Sequence, residues 1–336
     1  MTHSPLPKAP EPQAVSLNRR LILSAAAAIV AWPREPVLAQ EVLKLNVGFP
    51  AGGATDTFAR LFAPALSAEL GQNVIVENLM GASGAMAIRP LERAAPNAPV
   101  LALYPTMTML GQVLADQGPD LSKVTPISLV YEQYTVLVVN PLVPGFENVK
   151  SLKDLVAMAK AKPGEISYAI LGLGSTGHLT MEWISSLAGI KLQPVAYKGG
   201  APATADVLGG HVPLLFADST VIAPHVRAGK LRPIAVNFGK RMPGFPDVPT
   251  VIEQGFEQIN ALPWVVLVGP PNMPAADAKR VADAVQRVYA KPELIKALQA
   301  QNIEPKVSSP KEATQLMERD LALWKKIIQE KGIKGS

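Results

Sequence analysis

Residues 43–66 combine a strand pattern, a glycine turn and a helix start, and this order constrains the fold most. Alternating apolar residues from Leu43 to Phe49 predict a buried strand. Gly52 and Gly53 suit a tight turn, and Thr55 is a good N-cap for the amphipathic helix that follows. Free backbone N–H groups and the helix dipole point the same way there, so the unit predicts an anion site.

The same order recurs along the chain, which extends the prediction to the whole fold. Further apolar runs predict strands at Asn73–Glu77, Val100–Tyr104, Tyr134–Asn140, Glu165–Ile170, Leu192–Tyr197, Val212–Phe216, Leu231–Val236 and Leu262–Val268. Helical patterns separate most of these strands, including a predicted helix over Ala85–Ala94. Strands that alternate with helices predict an α/β fold in which a mainly parallel sheet is covered on both faces.

Two of the predicted strands could cross between two lobes, and their positions predict how the chain is divided into these lobes. Tyr134–Asn140 is long enough to leave one lobe, and Leu262–Val268 is a candidate for the return. We therefore expect a first lobe from residues 40–138 plus 262–336 and a second lobe from residues 139–261. The two crossing strands would form the hinge.

Six of the predicted strand-to-helix turns share a composition of glycine, small hydroxyl residues and aspartate. They are Gly52–Thr55, Gly81–Gly84, Tyr104–Thr106, Gly174–Gly177, Gly199–Ala201 and Asp218–Ser219. In a parallel α/β sheet such turns lie at the carboxyl edge, where ligands bind. Three turns come from each lobe, so together they predict a cleft lined by N–H and hydroxyl donors that suits carboxylate oxygens.

Residues 1–39 have the features of an export signal. Arg19 and Arg20 precede the apolar stretch Leu21–Ala31, and small residues suited to cleavage end at Ala39. An apolar stretch of this length is too short to span a bilayer, which takes about 20 residues. The paired arginines favour twin-arginine export over the general route. We expect an exported, periplasmic protein with a signal peptide cleaved near Ala39.

Composition excludes several function classes. The formal net charge is only +5, with dispersed basic residues and few aromatics, so a nucleic-acid surface is not expected. The chain contains no cysteine, which rules out disulfides, thiolate metal sites and a cysteine nucleophile. Outside the leader, His178, His211 and His225 do not follow a zinc spacing. We therefore expect no metal and no cofactor.

A dinucleotide or acyl-transfer site is the main catalytic alternative. Gly172–Gly177 matches the pattern GxGxxG after a strand, but the next strand ends at Lys198 without the acidic residue that holds a ribose. Ser175 lacks the glycine two residues earlier that a nucleophile elbow requires, because Leu173 stands there. The sequence shows no orienting triad and no acid–base pair of carboxylates, which favours a site that holds its ligand without reacting.

Four charged or titratable residues of the turns have open roles. His178 can bond the backbone at a helix start or touch a ligand, and Lys198 can supply a fixed positive charge or lie free in solvent. Asp56 and Asp218 would repel an anion that they faced. Each is therefore an N-cap or a receptor for a ligand ammonium or a bridging water.

A series of short motifs in a fixed order resembles the Bug-type extracytoplasmic solute-binding receptors of the tripartite tricarboxylate transporter family. The resemblance covers about Leu43 to Ile333. The motifs are Phe49–Asp56 with Ala59-Arg60, Val76-Glu77-Asn78, Gly174–Leu179, Tyr197–Ala201, Gly229–Val236, Pro246–Val251 and Trp324-Lys325-Lys326. The resemblance implies a two-lobed, type II periplasmic-binding-protein fold that closes on a carboxylate and delivers it to an integral-membrane permease. We expect a monomer that is not an enzyme.

By position, the resemblance assigns ligand binding to the glycine turns of both lobes. The candidate residues are Phe49, Ala51, Gly52, Gly53, Thr55, Asp56, Tyr104, Ser175, Thr176, His178, Lys198, Gly199, Ala201 and Asp218. The sequence departs from the family at Asn78–Gly84, which lacks a usual arginine and proline. Met80, Met107 and Met109 make this wall more apolar, so we expect a ligand with an aromatic or aliphatic body.

Two functions of another class remain open at this point. One is a dinucleotide-binding or hydrolytic enzyme built around Gly172–Gly177. The other is an orphan sensor that presents its bound ligand to a signalling protein. A sensor needs the same closing cleft as a transport receptor, so the residues alone do not separate the two.

Overall fold

The structure is a computed structural model that describes residues 41–115, 120–259 and 262–333. The predicted export signal lies outside these residues. Within them the chain builds two β-sheets, each covered by helices, and the helices follow strands in the alternating order that the sequence predicts. We call the elements around the six-stranded sheet the first lobe and those around the five-stranded sheet the second lobe.

The first lobe is centred on a sheet with the strand order β11-β4-β10-β3-β1-β2. Its strands are β1 (Leu43–Val47), β2 (Val74–Asn78), β3 (Val100–Pro105), β4 (Thr125–Gln133), β10 (Trp264–Gly269) and β11 (Ile303–Pro305). The second lobe has the order β7-β6-β8-β5-β9. Its strands are β5 (Thr135–Val139), β6 (Ser167–Ile170), β7 (Gln193–Ala196), β8 (Leu214–Asp218) and β9 (Arg232–Asn237).

Both sheets are mixed, so the prediction of mainly parallel sheets is wrong. Strands β1, β2 and β3 run parallel to one another, but β10 is antiparallel to both β3 and β4. In the second lobe β6 is parallel to β7 and β8, whereas β5 is antiparallel to β8 and β9. Strands β5 and β10, which follow the two lobe crossings, enter their sheets against the direction of the βα units, and the short edge strand β11 is antiparallel to β4.

The helices are separated from one another mainly by these strands. They are α1 (Ala54–Leu70), α2 (Arg89–Glu92), α3 (Thr106–Leu114), α4 (Leu152–Ala161), α5 (Thr176–Ala188), α6 (Gly200–Leu208), α7 (Ser219–Arg227), α8 (Ala275–Tyr289), α9 (Pro292–Ala300) and α10 (Pro310–Lys331). Helix α10 begins with a capping box, in which Ser309 and Glu312 each bond the other's backbone N–H. The helix predicted over Ala85–Ala94 is instead a 3₁₀ segment, Ala82–Ala87, followed by the single turn of α2.

One crossing between the lobes is a nearly continuous strand. β4 ends at Gln133 in the first sheet, and β5 begins at Thr135 in the second, so the chain changes sheet at Tyr134. The predicted lobe boundary at residue 138 falls inside β5, which pairs along its whole length with β8. The division into lobes stays a prediction, and the strand pairing favours Tyr134 as its first boundary. The return passes through the segment between β9 and β10.

Contacts beside this crossing join the two lobes. Ser219 Oγ and Thr220 Oγ1, in the first turn of α7, donate to the carbonyls of Asn302 and Gln301 at 3.1 and 3.0 Å. Tyr134 donates its hydroxyl proton to Glu304 at 3.0 Å. The start of α7 is therefore held against the first lobe at the back of the space between the sheets.

Candidate functional site

A cleft lies between the carboxyl ends of the strands of the two lobes. It consists of three adjoining recesses, which we call inner, middle and outer, with cavity volumes of about 30, 50 and 550 Å³. The inner and middle recesses share Thr55 and Asp218, and Met107 and Leu171 line all three. The recesses therefore form one continuous space that narrows from the outer rim toward the crossing strand.

Five helices begin at this cleft. Thr55 of α1 and Met107 of α3 enter it from the first lobe. From the second lobe come the starts of α5 at Thr176, α6 at Gly200 and α7 at Asp218. Each helix follows a strand at its carboxyl end, which is where an α/β sheet places its ligand sites.

Several of these helix starts retain N–H groups without a protein acceptor. In α1 the N–H groups of Ala54, Thr55 and Asp56 donate to no described residue. In α5 the same holds for Thr176 and Gly177 among the residues that the structure describes. Unpaired N–H groups at a helix start carry a partial positive charge, so these two helices favour an anion between them.

Asp56 does not line the cleft, because it is used to fix the turn before α1. Its carboxylate accepts hydrogen bonds from Gly52 N, Arg60 Nε and Asn78 Nδ2, each at 2.9 Å. Burial raises the pKa of Asp56, but these hydrogen bonds and the charge of Arg60 outweigh it and hold the pKa below its usual value. Because the N–H of Gly52 donates to Asp56, neither residue is available to a ligand in this arrangement.

His178 likewise holds a loop and does not line the cleft. Its Nδ1 accepts the N–H of Gly174 at 3.2 Å, and its own N–H donates to Ser175 Oγ at 3.4 Å. Burial lowers the pKa of His178 to about 4. The ring is therefore neutral near pH 7, as its acceptor role at Nδ1 requires, and it fixes the turn that leads into α5.

Ten of the fourteen predicted residues line the three recesses, and four do not. Those that line them are Phe49, Ala51, Gly53, Thr55, Ser175, Thr176, Lys198, Gly199, Ala201 and Asp218. Gly52, Asp56, Tyr104 and His178 lie outside the linings. Tyr104 is buried below the cleft and donates its hydroxyl proton to Gln112 at 2.9 Å. That the ten bind a ligand stays a prediction.

Polar residues of the crossing strand were missed by the sequence reasoning. Tyr131, Gln133 and Thr135 line the inner recess. Gln133 Oε1 and Thr135 Oγ1 are buried and accept no hydrogen bond from any described residue. The available signal was the polar residues Glu132, Gln133 and Thr135 around Tyr134, which interrupt a mainly apolar run at the point where the lobes meet.

Lys198 and Asp218 carry the charges of the cleft lining. Lys198 is exposed at the outer recess and forms no ion pair with any described residue. Asp218 lies between the inner and middle recesses, where its side chain has no hydrogen-bond partner among the residues described. Burial raises the pKa of Asp218 to about 7.

The lobes touch across the cleft at its rim. Ser83 Oγ of the first lobe donates to the carbonyl of Leu173 in the second at 3.1 Å. A Cβ on Gly174 would lie 2.5 Å from the backbone nitrogen of Gly111 in α3. The Gly172–Gly177 turn thus packs against the first lobe and leaves no room at Gly174 for a dinucleotide pyrophosphate. Ser175 is the N-cap of α5, so its hydroxyl is engaged there too.

Residues 41–115, 120–259 and 262–333 hold no group of three or more His, Asp or Glu side chains placed to ligate a metal. In the same residues no helix has the length and hydropathy needed to cross a bilayer.

Two sheet-centred lobes with a ligand-sized cleft between their strand ends define a two-lobed α/β binding protein. A solved periplasmic transporter superimposes with a TM-score of 0.80 at 31% identity, covering 87% of this chain and 98% of that one. An R. palustris protein solved with adipate also gives a TM-score of 0.80, at 28% identity over 87% of this chain and 97% of its own. These neighbours confirm the predicted two-lobed fold.

The family follows from the sequence comparisons. A family model described as a tripartite tricarboxylate transporter family receptor matches residues 58–333, and the chain belongs to this family. The protein BugT of Bordetella pertussis is 30% identical over 311 residues, which cover 90% of this chain and 91% of BugT. The resemblance to Bug-type receptors is therefore confirmed.

Proposed function

We propose that this protein is a periplasmic receptor that captures a small carboxylate between its lobes and delivers it to a tripartite tricarboxylate-type permease. Its membership of the receptor family and its similarity to an adipate-bound protein support this proposal. Residues 1–39 serve as the export signal, the mature protein acts as a monomer, and the cleft performs no catalysis.

The convergence of five helix starts on one cleft carries this proposal. The unpaired N–H groups at the starts of α1 and α5 come from opposite lobes, so one carboxylate can accept hydrogen bonds from both. Charge-assisted hydrogen bonds of this kind are about twice as strong as neutral ones. A ligand that joins the two lobes in this way stabilises their closed arrangement.

The outer recess is suited to the body of the ligand. Phe49, Met80, Met107 and Leu171 give this recess an apolar wall, and its volume is about 550 Å³. Methionine side chains adapt to ligands of different shape. We therefore propose an acid with an aliphatic or aromatic body, with its carboxylate toward the inner recess and its body toward the rim.

A binding screen tests the proposal. The purified mature protein is unfolded, freed of carried-over ligand and refolded, and its thermal unfolding is then measured with adipate, citrate, benzoate and glutamate. An acid at one hundred times its Kd stabilises the folded protein by about 2.7 kcal/mol. If no acid raises the melting temperature while NAD does, the receptor proposal is wrong.

One substitution removes a single N–H group from the cleft. Proline is tolerated at the first position of a helix, and Gly53, with φ −73° and ψ 167°, has a backbone that suits a following proline. Ala54→Pro should therefore keep α1 but weaken binding of the acid at least tenfold in isothermal titration. Ala275→Pro at the first position of α8, outside the cleft lining, is the matched control and should leave the affinity unchanged.

A further inference from the structure

Asp218 stands where the proposed carboxylate site is narrowest. Its side chain lines both the inner and the middle recess, at the end of β8 and directly before α7. The two recesses measure about 30 and 50 Å³, so any group that occupies them lies close to this carboxyl. Gln133 and Thr135 of the crossing strand also line the inner recess.

The linings of these two recesses contain no basic side chain in the described part of the chain. An ionised Asp218 would therefore meet a ligand carboxylate without any cation to offset the repulsion. Two carboxylates that share a small site cannot both ionise readily, and one of them keeps a proton.

The elements packed around Asp218 carry several titratable or charged groups, but almost none of them lines the inner or middle recess. Their titratable or charged residues are Asp56, Arg60 and Glu69 on α1, Tyr131 and Glu132 on β4, Tyr168 on β6, His178 and Glu182 on α5, Tyr197 and Lys198 before α6, Asp206 on α6, and His225 and Arg227 on α7. Of these, only Tyr131 lines a recess together with Asp218. Asp56 is bonded to Arg60, Glu132 is paired with Lys306, and Lys198 lines only the outer recess.

We propose that the side chain of Asp218 is a neutral carboxylic acid in the ligand-bound protein. Its O–H donates a hydrogen bond to a carboxylate oxygen of the ligand, which stays ionised. Capture then takes up a proton from solution wherever Asp218 is ionised in the ligand-free protein, which near pH 7 is about half of the molecules. This inference rests on the proposed function, because it requires the ligand carboxylate to lie in the inner and middle recesses. The only bond that forms is the O–H bond on Asp218; its proton leaves a buffer acid or hydronium in the solvent and stays on Asp218 while the ligand is bound, and no bond within the ligand changes.

Two observations support the neutral form. The side chain has no donor among the described residues to stabilise a negative charge, although it sits beside the start of α7. Burial also raises the pKa of Asp218 to about 7 before any anion is present. A ligand anion nearby favours the protonated form further, so a proton is taken up across the neutral pH range.

The opposite arrangement makes the opposite prediction. Gln133 Oε1 and Thr135 Oγ1 are unpaired acceptors in the inner recess, so an ammonium group could instead lie among them and an ionised Asp218. Binding would then release a proton. The sign of the proton exchange therefore distinguishes a carboxylate held by a neutral Asp218 from an ammonium held by a charged one.

Isothermal titration of the mature protein tests the inference. The probe is the acid that binds tightest among adipate, citrate, benzoate and glutamate, titrated in two buffers of different ionisation enthalpy. We expect proton uptake near pH 7 and a Kd that rises about tenfold between pH 7.5 and pH 8.5, because only the protonated receptor binds. Probe carboxyl groups stay ionised in this range.

Asp218→Asn isolates the residue. Its amide donates a hydrogen bond at any pH, so the variant should lose the proton uptake and bind more tightly than the wild type at pH 8.5. Asp247→Asn, an exposed site in the second lobe outside the cleft lining, should keep the wild-type pH dependence. Circular dichroism confirms that each variant is folded.

Each other outcome overturns a stated claim. Proton release, absence of proton exchange, or an Asp218→Asn variant that binds more weakly than the wild type at both pH values would overturn the role of Asp218. These results leave the carboxylate receptor intact, since an acid still binds. Absence of binding by every acid at every pH would overturn the proposed function, and this inference with it.

Discussion

The backbones of Gly174 and Gly111 lie in direct contact across the cleft: a Cβ on Gly174 would lie 2.5 Å from the backbone nitrogen of Gly111. Each residue belongs to a different lobe, so this contact exists only when the lobes are close together. Gly174 also has φ +76°, a conformation that side chains disfavour. The absence of a side chain here lets the lobes meet at the rim.

Gly174→Ala should therefore weaken ligand binding by hindering the approach of the lobes. Alanine at this φ also costs about 1 kcal/mol of folding stability, so a control with the same backbone cost is needed. Gly189 has φ +63° and open space where a Cβ would lie. We expect both variants to lose similar stability in urea denaturation, but only Gly174→Ala to show at least a tenfold higher Kd. Equal affinities would mean that the rim contact does not limit closure.

His178 gives the folded protein a defined response to acid. Its pKa is about 4 in the folded state against 6.5 in the free side chain, so the folded state holds fewer protons between these values. The free energy of unfolding therefore falls as the pH drops from 6.5 toward 4. The contribution of this ring is about 2 kcal/mol between pH 7 and pH 4.5.

His178→Asn removes this titration while keeping an acceptor near the N–H of Gly174. Urea denaturation at pH 7 and pH 4.5 should show a smaller acid-induced loss for this variant than for the wild type. His211→Asn, which changes an exposed histidine, should lose as much stability as the wild type. The same loss in both variants would place the acid response elsewhere.

The turns of the cleft could be predicted because their signals are local. Gly53, Thr55 and Ser175 combine glycine freedom or N-cap chemistry with a strand before and a helix after, and the fold brings such turns to one edge. The crossing strand could not be predicted in the same way. Gln133 and Thr135 face the inner recess only because two sheets meet at Tyr134, and no short spacing encodes that pairing.

The same distinction explains the predicted residues that lie outside the cleft. Asp56 and His178 occupy the first turns of helices that begin at the cleft, so their positions suggested ligand contact. Their side chains instead turn back onto Gly52 and Gly174, whose loops they fix. A sequence predicts which residues lie in the first turn of a helix. The direction of a side chain there depends on which N–H groups of the neighbouring loop lie within hydrogen-bond distance.

Although Asp56 lines no recess, its substitution should lower both the stability of the fold and the affinity for the ligand. Asp56→Asn removes the charge that holds Arg60 and weakens the bond to Gly52, which we expect to cost about 2 kcal/mol in urea denaturation. The matched control is Asp283→Asn, because Asp283 pairs with Lys279 on an exposed helix surface. Such a surface pair contributes little to stability, so the Asp283→Asn variant should have the same free energy of unfolding as the wild type. A stable Asp56→Asn variant would show that the turn is held by other contacts.

Removing the hydroxyl of Thr135 should stabilise the ligand-free protein but weaken ligand binding. Its hydroxyl is buried in the inner recess and has no hydrogen-bond partner among the described residues, so the ligand-free protein bears the cost of a desolvated polar group. Thr135→Val keeps the shape of the side chain and should raise the free energy of unfolding by about 1 kcal/mol. The same change removes a polar contact from the proposed site and should raise the Kd for the bound acid. Urea denaturation without ligand and isothermal titration measure the two effects.

Thr204→Val is the control that separates these effects. Thr204 Oγ1 is also buried without a partner in the described residues, but it lies on α6 away from the recess linings. This variant should gain comparable stability and keep the wild-type Kd, because the hydroxyl that it loses faces no ligand. If both valine variants bind alike, the Thr135 hydroxyl takes no part in capture. A lower affinity confined to Thr135→Val would mean that the crossing strand contributes to recognition as well as joining the lobes.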